Sequence, residues 1–428
     1  VFNQRLSTDL VASSWRSQPD RQRDGVVPMA LDYDVAIVGG GIVGLTLACA
    51  LKDAGLRIAV IEAKPRSAGF QRERAYAITL MSGQIFTGLG IWEQILPQIT
   101  TFRQIRLAEA ECPAVVNLNP ADLGTQALGY VAEHRVLLQA LYDRLEGATS
   151  VEWLCPADVV NTIYAADHAE LTLAVAGEER QVRARLVVAA DGARSQIRQR
   201  AGIGTHGWQY WQSCITAVIR PEQPHGNIAR EHFWASGPFA TLPLPGNRCQ
   251  IVMTAPHAEA KAWMKVDEAD FLAELNRRYA GQLGKLELVG DRFLFQVQLM
   301  HSNRYIRSRL ALVGDAAHCC HPVGGQGMNL GIRDAAALAQ VIQTALKQGE
   351  DVGSLRVLKR YERWRRWENF TILGFTDLLD RAFSNHWLPL LMARRLSLRL
   401  MRSLSPLRFL ALKLMTGLSG RYPELAQR

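Results

Sequence analysis

At 428 residues, with 48% hydrophobic and 21% charged side chains, the chain can build a sizeable core and a body of two domains, which excludes a disordered protein. The formal charge of +9 is unevenly placed: Arg381 to Arg421 holds eight basic residues and no acid, leaving +1 for everything else. A basic footprint spread over the fold is thereby excluded, and with it a nucleic-acid partner.

In chain order, residues 1–28 carry Arg5, Arg16, Arg21 and Arg23 among polar residues without the apolar stretch of a signal peptide, and read as a disordered leader before Met29. Tyr33 to Val38 then reads as a buried parallel strand, followed by Gly39-Gly40-Gly41-Ile42-Val43-Gly44 and a helix through Leu45 to about Ala54. Gly39 allows a tight turn, Gly41 lets backbone approach a pyrophosphate, and Gly44 lets helix and strand pack closely. A second strand, Arg57 to Ile61, ends at Glu62, where such a fingerprint places a carboxylate for a ribose hydroxyl. The apolar run from Val35 to Leu51 is shorter than the roughly 20 residues of a membrane span, and glycines interrupt it.

Arg183 to Ala190 is another buried strand, leading into Asp191-Gly192 and a short helix from about Gln196 to Arg200. Residues 203–299 alternate apolar and polar segments as a β-rich region does. Its Trp208, Tyr210, Trp211, Phe233, Trp234 and Phe239 can build a sheet core or wall a flat aromatic ligand. Arg309 to Val313 repeats the strand pattern and ends at Gly314-Asp315, placed to bind ribityl hydroxyls. Gly324, Gly325 and Gly327 then permit close approach to a flat ring. The helix from Asn329 to Gln343 aims its N-terminus back at that loop, favouring negative charge there. His318 and His321 read as structural hydrogen-bonding groups. Two motifs almost three hundred residues apart can serve one long cofactor, and they point to FAD.

The C-terminal third is helical. Leu388 to Leu404 sets Arg395, Arg399 and Arg402 on one face, Pro406 breaks the helix, and a second apolar-basic stretch runs to Met415. A cationic amphipathic helix of this kind reads as a membrane-surface element, or else as a cap on the core. Seven cysteines without CxxC or His-linked spacing leave no metal motif and suit a reducing compartment.

The chain resembles the single-component FAD aromatic hydroxylases, relatives of para-hydroxybenzoate hydroxylase, and more narrowly the ubiquinone-biosynthesis hydroxylases. The resemblance covers roughly residues 31–420. It rests on GGGIVG (39–44), ERAYAIT (73–79), LGIWEQI (89–95), LGYVAEHRVL (128–137), AADGARSQIR (189–198), GPFATLPL (237–244) and LVGDAAHCCHPVGGQGMNLGIRDA (312–335), with YERWRRWEN (361–369) and DLLDRAFS (377–384) also alike. It departs at His134, where the family usually has Asn, and often in the residue ahead of Arg74.

The resemblance implies an α/β fold: a Rossmann-like FAD-binding domain (29–105, 128–202 and 300–350), an inserted β-rich substrate domain (106–127 and 203–299), and a C-terminal helical segment (351–428). Cofactor contacts are expected from Gly39, Gly41, Ile42, Val43, Gly44, Glu62, Arg74, Arg135, Asp315, Gly325, Gly327, Met328 and Asn329. Asp191 and Gly192 would form a loop shared with a transient NAD(P)H, and Pro322 and Gly327 would lie near the ring. No acid–base triad is expected, because the flavin carries the chemistry; a phenol deprotonated in the site would be the better nucleophile, but the sequence names no base for it.

The implied function is a monooxygenase that uses NAD(P)H and O2, through a flavin C4a-hydroperoxide, to hydroxylate a polyprenylated phenol in quinone biosynthesis. The protein would be cytoplasmic and bound peripherally to the membrane, within reach of a quinone-biosynthesis complex. A flavin-dependent prenyl reductase and an inactive flavoprotein scaffold are the alternatives. A flavin halogenase is not, since its Trp-x-Trp-x-Ile-Pro motif is absent.

Overall fold

Six residues, Tyr33–Val38 (β1), are apolar on both faces apart from Asp34, and Val35, Ala36 and Ile37 are fully buried. Only a strand in the middle of a covered parallel sheet suits such a run. The computed structural model describes residues 31–427 except 72, 110, 111, 386 and 387, and leaves the side chains of 112–114, 388, 390 and 391 undescribed. The leader expected over residues 1–28 lies outside the described residues.

After β1 the glycine turn feeds Ile42–Leu51 (α1) and then Ile58–Ile61 (β2). Ala75–Ile78 (β3) precedes Leu80–Gly88 (α2), whose N-cap Thr79 accepts a hydrogen bond from the Ser82 N–H at 3.3 Å. Gln104–Glu109 (β4) and Cys112–Leu118 (β5) form an antiparallel pair. His134–Leu145 (α3) leads to Val151–Leu154 (β6), and the long strand Glu178–Ala189 (β7) to Gln196–Arg200 (α4).

Next come Thr205–Pro221 (β8), Ile228–Trp234 (β9), Gly237–Leu244 (β10), Arg248–Pro256 (β11) and Leu286–Ser302 (β12). The short strands Leu310–Leu312 (β13) and His318–Cys319 (β14) precede the helix Gln326–Lys347 (α5). Leu355–Phe383 (α6), Leu388–Ser403 (α7) and Ser405–Met415 (α8) follow.

Two large sheets result within one compact unit. In the first, β13, β7, β1, β2 and β6 lie side by side, all parallel. In the second the order is β14, β12, β8, β11, β10, β9, β4 and β5. The fingerprint sheet with its helices and the β-rich sheet give the α/β architecture that the sequence implied.

The C-terminal helices differ from the simple amphipathic reading. Pro406 falls in the first turn of α8, where its missing N–H costs nothing, so it begins a helix as well as ending one. Arg394 is buried against Glu109 at 2.6 Å, Arg395 lies 3.6 Å from the same carboxylate, and Arg408 bonds Asp122 at 2.8 Å. The acid-free tail thus borrows acids from β4 and the segment after β5. Leu398 and Leu412 cap an apolar cluster with Leu107, Phe233 and Val323.

Candidate functional site

The carboxyl ends of β7, β1 and β2 and the turn after β13 gather at one edge of the parallel sheet, where open α/β sheets take their ligands. The fingerprint glycines divide their tasks. Gly39 has φ +118°, and a Cβ there would lie 2.3 Å from the Ala190 carbonyl oxygen. A Cβ on Gly44 would lie 2.1 Å from the Gly39 carbonyl oxygen. Both positions are closed by backbone. A Cβ on Gly41 meets nothing within 4 Å. That open side lies before the first turn of α1, whose N–H groups, Ile42 and Val43 among them, lack intrahelical acceptors and can cradle a pyrophosphate. At the end of β2, Glu62 accepts from the Gly40 N–H at 2.8 Å and the Lys64 N–H at 3.1 Å. Each oxygen keeps acceptor capacity for a ribose hydroxyl.

The second motif touches the first. A Cβ on Gly314 would lie 3.3 Å from two Val43 methyl carbons, and one on Gly331 would lie 2.6 Å from one of them. Missing side chains at both glycines let α1, α5 and the turn after β13 meet at Val43. Asp315 comes next. Protein crowds it from the sides, yet its side chain is exposed, as at the floor of a cleft. Desolvation raises its carboxyl above the ordinary value, against the pull of His318 and Arg74. Arg74 thus lies within electrostatic range of Asp315, and its guanidinium sits 4.9 Å from the Phe295 ring centroid.

Beyond Pro322 the loop turns through Gly324 and Gly325, at φ +72° and +62°, a conformation that favours glycine. The first-turn N–H groups of Gly327 and Met328 then open α5 without intrahelical partners. These residues fit the flavin end of FAD as the glycine turn fits its pyrophosphate.

Three of the residues expected at the cofactor already hold protein partners. The Asn329 amide oxygen accepts from the Thr79 N–H, the Thr79 hydroxyl and the Ser82 hydroxyl, while its NH2 donates to Ala77 and Gly325 carbonyls. Its side chain is saturated and ties the flavin-side loop to β3 and α2. Asp191 accepts from the Ile197 N–H at 3.3 Å and so caps α4, leaving its Oδ1 buried without a partner, while Gly192 turns beside it at φ +83°. Arg135 is exposed and bonds Glu133 at 3.2 Å, which also holds Arg248 at 3.1 Å. The His134 N–H bonds the Arg74 carbonyl at 2.7 Å, placing the two arginines on adjoining segments.

Sequence reasoning missed the anchor beneath this loop. Asp334, on α5, accepts from His318 Nε2 at 2.6 Å, the Gly314 N–H at 3.1 Å, Arg365 Nε at 2.8 Å and the Asn369 NH2 at 3.0 Å. Burial pushes its carboxyl up, but His318, Arg365 and these bonds hold it at about 2. The YERWRRWEN stretch is explained here: Tyr361 donates to the Leu312 carbonyl at 2.7 Å, and Arg365 and Asn369 meet Asp334. A second cluster surrounds His321. Its Nδ1 accepts from the Val323 N–H, its Nε2 lies 3.5 Å from Asp380, and its ring meets Tyr210, which donates to Asp377 at 2.6 Å. Among the described residues no group of His, Cys, Asp and Glu could hold a metal.

Comparison with known proteins agrees with this geometry. Residues 32–368 match the FAD binding domain family. An uncharacterized protein of Synechocystis is 52% identical over 92% of this chain and 95% of its own length. The ubiquinone hydroxylase UbiL of Rhodospirillum rubrum is 39% identical over 91% of both chains. The 3-demethoxyubiquinol 3-hydroxylase of Escherichia coli is 37% identical over 90% of this chain and 98% of its own. Among solved structures, p-nitrophenol 4-monooxygenase from Pseudomonas putida superposes with a TM-score of 0.75 over 91% of this chain and 98% of that one, at 20% identity, a likeness of fold. The chain belongs to the FAD binding domain family and, within it, to the ubiquinone-biosynthesis hydroxylases, a branch of the FAD-dependent aromatic hydroxylases.

Proposed function

We propose that this protein is an NAD(P)H- and FAD-dependent monooxygenase that hydroxylates a polyprenylated phenol during quinone biosynthesis. The observation that carries the reading is the meeting of two distant motifs at Val43, Gly314 and Gly331, beside the exposed acid Asp315. The glycine turn and α1 would hold the pyrophosphate, Glu62 a ribose hydroxyl, and Asp315 the ribityl chain. The N–H groups opening α5 would stabilise negative charge at the ring's pyrimidine end. Bound FAD would supply electron transfer from NAD(P)H and activation of O2, so that one oxygen atom reaches the phenol and the other leaves as water. Val323 and Phe383 pack with Ala229, Phe233 and Leu244 of the second sheet, an apolar wall that would orient a phenolic ring and keep water out.

Labelled dioxygen tests the reaction. With NAD(P)H and a short-chain prenylphenol, one atom from oxygen gas should enter the product. Label entering only from water, or reduction of a prenyl double bond without oxygen uptake, would reject the hydroxylase reading.

Peripheral attachment to a membrane belongs to the same proposal. No helix of the described residues is long and apolar enough to cross a membrane. On α7, Met392, Leu396 and Leu400 are exposed at four-residue spacing, and on α8 Leu407 and Leu410 are exposed too. Because Arg394, Arg395 and Arg408 are paired inward, attraction to anionic lipid falls to Arg399 and Arg402 on α7 and Lys413 on α8, which form no ion pair among the described residues. At on the order of 1 kcal/mol per basic residue near the surface, Arg399→Glu with Arg402→Glu should weaken binding to anionic vesicles by roughly 30-fold or more while FAD stays bound. Unchanged vesicle affinity would make these helices a cap on the core and nothing more.

A further inference from the structure

Glu231 sits in the middle of β9 on the face turned toward the flavin-side loop. Its neighbours Arg230 and His232 point the other way, where His232 meets Phe239. Ala229 and Phe233, two residues to either side, join the cluster that contains Val323 and Phe383, and the Phe233 and Phe383 rings stack at 3.9 Å. Side chains alternate along a strand, so Glu231 shares the face of Ala229 and Phe233. Its partners across the sheet are Leu107 on β4 and Ala240 on β10. This is an acid set among apolar residues. Among the described residues it makes no hydrogen bond or ion pair, yet part of its surface remains accessible. The buried Cys214 thiol lies within electrostatic range of Glu231, Asp380 and Arg74, which links this carboxylate to the Asp315 side of the site.

We propose that Glu231 is the base that takes the hydroxyl proton of the phenolic substrate. The assignment rests on the phenol-hydroxylase reading above. The phenol O–H bond breaks, its electron pair stays on oxygen, and the proton passes to the Glu231 carboxylate, later to leave to solvent. The ring becomes electron-rich as it is attacked, and no oxidant is needed for this step. An apolar setting raises the proton affinity of a carboxylate, and desolvation alone pushes Glu231 up to about 8.

The other charged or titratable groups facing it lie on the elements packed around this wall. On β4, Glu109 is held by Arg394 and Arg395 of α7. Burial pushes Cys214 on β8 up to about 12 and Tyr210 higher still. It pushes His321 in the loop down to about 3. Arg74 contributes positive charge. On α6, Asp377 holds the Tyr210 hydroxyl, and Asp380 is the other carboxyl here that burial raises, against the bond from Ser384.

The test uses holoenzyme titrated with 2-geranylphenol and with its methyl ether from about pH 6 to about pH 10, binding being read from flavin fluorescence. Ionised Glu231 accepts a charge-assisted bond from the phenol but none from the ether. Affinity for the phenol should rise about tenfold through a midpoint near that of Glu231, while affinity for the ether stays level or falls. In Glu231→Gln both should be flat, kcat/KM should drop about 100-fold, and its rising alkaline limb should vanish. Asp380→Asn should keep that limb. The proposal is overturned if phenol and ether follow the same pH course in the parent protein, if the phenol does not bind, or if the limb persists in Glu231→Gln. If the variant fails to hold flavin, the phenol–ether comparison on the parent decides alone. A phenol-specific pH course without oxygen uptake would reject the hydroxylase reading and leave this assignment standing.

Discussion

Gly41→Val gives a folded protein without flavin, whereas Gly44→Val gives little folded protein at all. The two glycines stand three residues apart in one fingerprint, but their surroundings are opposite. A Cβ at Gly44 would fall 2.1 Å from the Gly39 carbonyl oxygen, a backbone atom that cannot move without opening the turn between β1 and α1. At Gly41 the backbone is extended, at φ −80° and ψ 177°, which any residue adopts, and no atom lies within 4 Å of the added carbon. A valine there occupies the space that the pyrophosphate would take. Flavin absorbance per folded protein and the thermal midpoint separate the outcomes. A yellow Gly41→Val variant, or a stably folded Gly44→Val, would contradict this division of labour. Asp315→Ala should resemble Gly41→Val, folded and depleted of flavin.

The other large effect is expected at Asp334. Replacing it with Ala removes one partner of a buried ion pair and leaves Arg365 with Glu368, which it shares with Arg333, as its remaining carboxylate; breaking such a buried pair costs about 3–5 kcal/mol. The same substitution frees the Gly314 N–H, so flavin affinity should fall together with stability. Asp334→Asn keeps the shape and part of the bonding and should fall between. Because the folded-state pKa is depressed to about 2, the stability from this carboxylate is present above its ordinary titration range and is lost as pH falls through that value. Thermal midpoints of the parent should therefore drop more steeply below about pH 4 than those of Asp334→Asn. Parallel acid limbs would mean that Asp334 contributes packing alone.

What could be read from the sequence was what sterics impose on neighbouring residues. Gly44 answers a demand from Gly39, five residues before it, and the positive φ of Gly39, the strand before and the acid after are equally local, although the backbone that closes Gly39, at Ala190, is not. The two halves of the candidate cofactor site were legible for the same reason, as each is a strand followed by a turn. Glu231 was not. An acid between Arg230 and His232 in a run of three polar residues looks like an ordinary solvent-facing position until the sheet shows which face is covered. Asp334 escaped notice because its partners, Gly314, His318, Arg365 and Asn369, come from two other segments, the stretch after β13 and the helix α6. The basic tail was misjudged in its charge for a related reason. The acids that neutralise Arg394 and Arg408 lie 285 and 286 residues earlier in the chain, and only the fold brings them together.

The pairing of β14 with β12 has a consequence for how such enzymes can be altered. His318 and Cys319, just after Asp315, pair with His301 and Met300 and so form the last strand of the β-rich sheet. The floor of the cofactor cleft and the wall that would face the substrate are therefore one hydrogen-bonded fabric, not two parts meeting at a hinge. Grafting residues 205–302 from a relative, with the loop left behind, would join strands whose registers were never matched. A change in the length of β12 would shift the loop relative to the wall and reset the depth at which a ring is presented. Exchange of substrate range by recombination should succeed when the crossover lies beyond residue 319, and fail when it falls between the sheet and its last strand.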